Sequence, residues 1–302
     1  MYRVNVILGF VAVLLSLGTA RAQSVNGATA DRLYILDCGT GRAPDESARW
    51  TPGFNVGKAI DIPVNCYLIH HADGYFLWDT GISDRVAALP DGWYPTNNPA
   101  KDIHWTRAKT LMSQLKAIGV APSDIRYIGI SHTHPDHIGN VELFPQTTVL
   151  IQRAEYDFFF GTGKPGTAKL PAEALTVPPG DTTPRFSKDH PVKLIDEDLD
   201  VFGDGSVMIV ATPGHTPGHD SLLVHLSKTG WVFLTADAVH LQTNWDNWRI
   251  PYYATMPTEQ KFETLLSMER IARLISFYHA QLWINHDMEQ SRSQKHAPEY
   301  YQ

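Results

Sequence analysis

The stretch Ser131-His132-Thr133-His134-Pro135-Asp136-His137-Ile138-Gly139-Asn140 constrains this chain more than any other. It follows directly on the apolar, β-branched run Ile125–Ile130, so a strand ends there and a polar loop begins. Pro135 and Gly139 keep that loop from continuing as strand or as a long helix. Four of the six residues from His132 to His137 are metal-competent. His132 and His134, two apart, point the same way along an extended segment toward one ion. Asp136 and His137 fall on the following turn and can serve a second ion nearby. A lone buried histidine is ordinarily explained by a core hydrogen bond. Four such side chains on one strand-ending loop ask for a metal.

Other apolar strands end in the same way. Val207–Ala211 runs into Thr212-Pro213-Gly214-His215, Trp231–Ala236 into Asp237, and Gln281–Ile284 into Asn285-His286-Asp287. Sites in α/β sheets are built at the carboxyl ends of strands, and each of these ends delivers a ligand-type residue. Further strand text lies at Leu33–Cys38, Cys66–His70, Gly74–Trp78 and Thr148–Gln152. Helical spacing predicts a helix over Trp105–Ile118, with Leu111, Leu115 and Ile118 on one face and Gly119 as its stop. A second is predicted over Thr258–Phe277, capped by Thr258 and repeating Leu265, Met268, Ala272 and Ile275. Strands interspersed with helices predict a layered α/β fold. Gly161–His190, rich in Pro, Gly and Thr, reads as a surface excursion, either a lid or a plain insertion.

Composition narrows the class. With 43% hydrophobic and 19% charged residues, the 302-residue chain is neither disordered, collagenous nor coiled coil. Its net charge of −7 lacks the basic footprint of a nucleic-acid binder. Met1–Ala22 carries Arg3, the apolar run Val6–Leu17 and Ala20-Arg21-Ala22, the pattern of a cleaved secretory signal. The expectation is a mature domain over 23–302, periplasmic or secreted and off the membrane once the signal is cut. Arg3 and Arg21 are the only charges lost, which takes the net charge from −7 to −9. Cys38 and Cys66 could pair in an oxidising compartment, but sequence alone does not place them within bridging distance, and the favoured reading is two small buried hydrophobes.

His-x-His-x-Asp-His, followed by a Gly-His, an Asp and a last His, resembles the metallo-β-lactamase superfamily. Within it the chain is similar to the N-acyl-homoserine lactone lactonases that quench quorum sensing. The similarity is carried by Pro63-Val64-Asn65-Cys66-Tyr67-Leu68, Gln152-Arg153-Ala154-Glu155-Tyr156, Thr212-Pro213-Gly214-His215-Thr216-Pro217-Gly218-His219 and His286-Asp287-Met288-Glu289-Gln290. The resemblance implies an αββα sandwich holding two zinc ions. His132, His134 and His215 would bind one, Asp136, His137 and His286 the other, and Asp237 would bridge them. A hydroxide shared by the ions would attack the lactone carbonyl, with Asp136 passing a proton to the leaving oxygen.

Supporting roles follow from the same resemblance. Asp79, in Trp78-Asp79-Thr80-Gly81, would orient a ligand histidine, and His219 would support its loop. Where many such lactonases carry a tyrosine on the substrate carbonyl, this chain has His240, which is expected to take over that role. Phe158-Phe159-Phe160, Trp245, Trp248 and Tyr252-Tyr253 are candidates for an acyl-chain groove or for plain core packing. The expected partner is a small lactone, not nucleic acid, and a homodimer is left open. Competing readings are a periplasmic β-lactamase, a thioesterase-type hydrolase of the same fold and a non-catalytic metal-binding protein. Asp237 disfavours the β-lactamase, because true β-lactamases of this fold usually lack that bridging carboxylate.

Overall fold

The computed structural model describes residues 27–96, 98, 101–163, 176–182, 185–251 and 258–302. The signal-like segment Met1–Ala22 therefore lies outside the described residues, as do Tyr252 and Tyr253.

Two sheets stack face to face. The first has the order β4-β1-β2-β3-β5-β6-β7 and comprises β1 (Arg32–Ala43), β2 (Ile60–His71), β3 (Gly74–Trp78), β4 (His104–Thr106), β5 (Ile125–Gly129), β6 (Thr148–Gln152) and β7 (Val192–Ile195). The second has the order β12-β11-β10-β9-β8 and comprises β8 (Leu199–Asp200), β9 (Val207–Ala211), β10 (Asp220–Leu226), β11 (Gly230–Leu234) and β12 (Gln281–Trp283). Strand alternation sorts the apolar side chains into layers. Leu33, Ile35, Phe76 and Trp78 of the first sheet meet Ile209, Leu222, Val224 and Leu234 of the second in the central core.

The outward-facing residues are covered by helices. Leu36, Leu68 and Leu77 pack with Leu111 and Leu115 of helix Leu111–Ala117 and with Ile138 of the short helix Pro135–Ile138. Val210, Leu223 and Phe233 pack with Ile271 of helix Thr258–Tyr278. The result is a layered α/β fold, the αββα sandwich that the resemblance implies, with helices on both outer faces.

The structure corrects several local expectations. The helix predicted from Trp105 starts at Leu111, because Thr110 caps it by accepting the Ser113 N–H at 3.0 Å, while Trp105 lies in β4 opposite Gly41. On the long helix, Thr264, Ser267, Met268 and Ile271 face inward and Leu265 is exposed, so its buried stripe is offset from the predicted one. β10, the central strand of the second sheet, is absent from the sequence reading because its first residues are the polar pair Asp220-Ser221. Cys38 and Cys66 form a disulfide rather than two free thiols. The pairing of Leu36 with Cys66 in antiparallel β1 and β2 is what brings the two cysteines together, at a Cα separation of 5.9 Å.

Candidate metal centre

Strand direction decides where the polar loops meet. β9 and β11 both run antiparallel to β10, and β12 runs parallel to β11, so β9, β11 and β12 share one direction. Their carboxyl ends therefore deliver His215, Asp237 and His286 to the same edge of the second sheet. β5, whose end carries the His132–His137 loop, reaches that edge from the first sheet. The seven predicted ligands converge.

They converge as neighbouring donor sets, with Asp237, His240 and His286 forming a third set across the two described next. His132, His134, His215 and Asp237 form one set of donors, and Asp136, His137 and His286 another. His134 Nδ1 lies 3.0 Å from His132 Nε2 and 2.9 Å from His215 Nε2. Asp237 stands between the groups. Its Oδ2 is 3.6 Å from His132 Nε2 and 3.3 Å from His215 Nε2. Its Oδ1 is 3.1 Å from both His137 Nε2 and His286 Nε2. Asp136 Oδ2 stays farther out, 3.8 Å from His137 Nε2 and 3.7 Å from His286 Nε2.

Outer contacts aim the rings. The His286 Nδ1–H donates to the Pro63 carbonyl at 2.8 Å, which leaves Nε2 as the lone-pair donor to the site. Asn285 beside it accepts the Asn65 N–H at 3.1 Å, tying this loop of the second sheet to β2 of the first. His137 Nδ1 pairs with Asp79 Oδ2 at 2.8 Å, and Asp79 Oδ1 accepts the Ser131 N–H at the same distance. The predicted role of Asp79 thus has its geometry. Gly139 closes the turn against this loop, since a Cβ there would stand 2.3 Å from the Ser83 nitrogen. His219 braces its own loop through its Nδ1, 3.1 Å from the Thr212 carbonyl, and its Nε2 also accepts the Asp237 N–H at 3.0 Å.

The electrostatics of these groups suit ligation. Burial holds His132 and His215 well below the ordinary imidazole value and lowers His134, so all three stay neutral. Burial also pushes His219 down to about 3. At His137 burial opposes charge, but Asp237, Asp79 and Asp136 outweigh it and hold the ring well above its usual value. Asp237 feels the converse: burial would raise its carboxyl, yet His286, His240, His137 and His132 pull it well below. Two buried atoms at the centre, His137 Nε2 and Asp237 Oδ1, face each other at 3.1 Å as an ion pair without good hydrogen-bond alignment. A cation between them would satisfy both with better geometry than they have with each other. Zinc prefers neutral imidazoles with carboxylates, so an ion here would have to displace the proton that the aspartates hold on His137.

His240 reaches the same centre. Its Nε2 is 2.9 Å from Asp237 Oδ2, its ring stacks on His286 at 5.4 Å, and Trp50 lies 6.4 Å behind it. The aromatic candidates divide. Phe158 is buried, Phe159 and Phe160 pack on the outer core with buried Phe186, and Trp245 packs on the core beneath the long helix, so these four serve packing. Trp248 is 47% exposed and lines a groove of about 300 Å³ with Pro52, Ile250, Phe262 and Leu265. The sequence reading gives no role to Ser131, Asn285 or Glu155, all buried supports of the ligand loops. The available signal is positional: each is adjacent to a ligand motif or opens a helix straight after a buried strand.

Comparison with known proteins places this geometry. Residues 59–273 match the Metallo-beta-lactamase superfamily. The N-acyl homoserine lactonase AttM of Azorhizobium caulinodans is 30% identical over 273 residues, 89% of this chain and 98% of its own. An N-acyl homoserine lactonase of a Bacillus species is 31% identical over 275 residues, 90% of this chain and 99% of its own. A solved N-acyl homoserine lactone hydrolase, with the product N-hexanoyl-L-homoserine bound at its catalytic metal center, superposes with a TM-score of 0.73 at 26% identity. That match covers 90% of this chain and 100% of the other.

Proposed function

Because the chain belongs to the metallo-beta-lactamase superfamily, we propose that it is a metal-dependent hydrolase opening the ring of N-acyl-homoserine lactones. The observation that carries the reading is Asp237, whose two oxygens face different groups of imidazoles on a chain that lactonases match almost end to end. Two zinc ions held there would supply a water that is nucleophilic near neutral pH and Lewis-acid stabilisation of the carbonyl and leaving oxygens.

The chain's own residues do the rest. His132, His134 and His215 hold one position, Asp136, His137 and His286 the other, and Asp237 fixes their spacing. Asp136 has the most exposed side chain of the second group, 12% against 2% or less for its two histidines. It takes the proton of the attacking water and returns it to the ring oxygen as the ester C–O bond breaks, giving the hydroxy acid. His240 donates an N–H to the lactone carbonyl, the role of the tyrosine in the lactonases the chain resembles. The tripartite Met1–Ala22 sequence and the Cys38–Cys66 disulfide support export to the periplasm or beyond, where disulfides persist.

A hydrolysis panel tests the reading: acyl-homoserine lactones of several chain lengths, a γ-lactone, a cephalosporin and a thioester, with bound metal measured in parallel. Lactone opening should exceed the other reactions, with about two ions per chain, because seven ligands are more than one tetrahedral zinc uses. Dominant cephalosporin turnover moves the assignment to a β-lactamase. A stoichiometry of one with full activity ends the dinuclear reading.

A further inference from the structure

The ligands of the first group come from different sheets: His132 and His134 follow β5, whereas His215 follows β9. Something must fix the distance between those loops. Glu155, fully buried in the first turn of helix Arg153–Phe160, touches both. Its Oε1 accepts the Thr133 backbone N–H at 2.7 Å and the Thr133 hydroxyl at 2.6 Å. Thr133 lies between the two histidines, so this bond grips the His-x-His segment at its centre. Oε2 accepts the Gly218 N–H at 3.0 Å, on the loop that carries His215 and His219.

A second contact fixes the same spacing independently of the carboxylate. A Cβ on Gly218 would fall 2.3 Å from the Glu155 backbone nitrogen and 2.9 Å from its Cα. The His215 loop thus rests directly on the helix start, and only glycine permits that approach. Burial pushes the Glu155 carboxyl upward, and the donors around it pull the other way.

We infer that Glu155 is a positioning residue for the first metal position, a clamp that sets the span between His132 and His134 on one loop and His215 on the other. The second position has its own supports, the Asp79–His137 and Pro63–His286 contacts, neither of which involves Glu155. Loss of the clamp should therefore be selective. The inference rests on reading this centre as a two-ion site.

Glu155→Gln tests it. The amide nitrogen must face either the Thr133 donors or the Gly218 N–H, so one grip becomes a clash of donors. Metal-free protein is titrated with cobalt(II), following the visible absorption of bound ion and the shifted imidazole N–H resonances. Wild type should take two ions. Glu155→Gln should bind one of them roughly 10–100-fold more weakly, the usual cost of losing a ligand's support. The Nδ1–H resonances of His137 and His286, which belong to the second position, should persist. Gly218→Ala, with the carboxylate intact, should show the same selective loss. Two ions bound as tightly as in wild type in either variant would overturn the clamp and leave the lactonase reading standing. So would equal weakening of both positions. A wild type that takes no ions would overturn both readings.

Discussion

At His240 the chain departs from the tyrosine carried by many of the lactonases it resembles, and one imidazole is open to three roles. Its Nε2 stands 2.9 Å from Asp237 Oδ2, near enough to serve as a donor to substrate, a brace for Asp237 or an added ligand. The donor role predicts that His240→Ala lowers kcat/KM while metal content stays at the wild-type level. Removing one such donor typically costs on the order of 10²–10³-fold in kcat. His240→Tyr should keep much of the activity, because a phenol donates from a similar place. Unchanged kinetics in His240→Ala would make the residue a bystander. Lost metal would make it a ligand. Kinetics and bound zinc measured on both variants separate the outcomes.

Single elements differ in how openly the sequence announces them. The candidate ligands are legible because metal chemistry admits few residue types, and because His132, His215, Asp237 and His286 each follow an apolar strand. Asp79 is legible only through resemblance, since a strand-ending turn explains it equally well. Glu155 is not legible: its two partners, Thr133 and Gly218, are far from it in sequence and meet only after the sheets stack. The disulfide is hidden for the same reason, because the register of β1 against β2 decides it and alternation alone does not. Having formed, it closes a loop with a sequence separation of 28, worth roughly 3–4 kcal/mol in the chain-entropy view. Cys38→Ala with Cys66→Ala should therefore lower the denaturation midpoint of the protein, and reduction of wild type should do the same. A midpoint unmoved once free thiols have been measured would show that the bridge adds no stability.

Stability of the molecule as a whole depends on polar groups trapped where the sheets meet. Asp220 is fully buried there. Its N–H donates to the Ser131 carbonyl at 2.8 Å, Gln152 Nε2 donates to its Oδ1 at 3.0 Å, and its Oδ2 has no hydrogen-bond partner among the described residues. Burial raises its carboxyl well above the ordinary value, with Glu155 adding to the effect. In the unfolded chain the same group titrates near 3.9. Between those two values the native state binds a proton that the unfolded state does not, so stability falls as pH rises. The contribution is complete below the ordinary carboxyl range and lost as pH passes through the raised value. Asp220→Asn fixes the neutral form and keeps an oxygen for Gln152. Its stability should match wild type most closely in acid and exceed it increasingly as pH rises, with a slope of at most about 1.4 kcal/mol per pH unit. Thermal denaturation of the two proteins from pH 5 to 9 measures that difference; an advantage of constant size across the range would mean that Asp220 keeps the same proton count folded and unfolded.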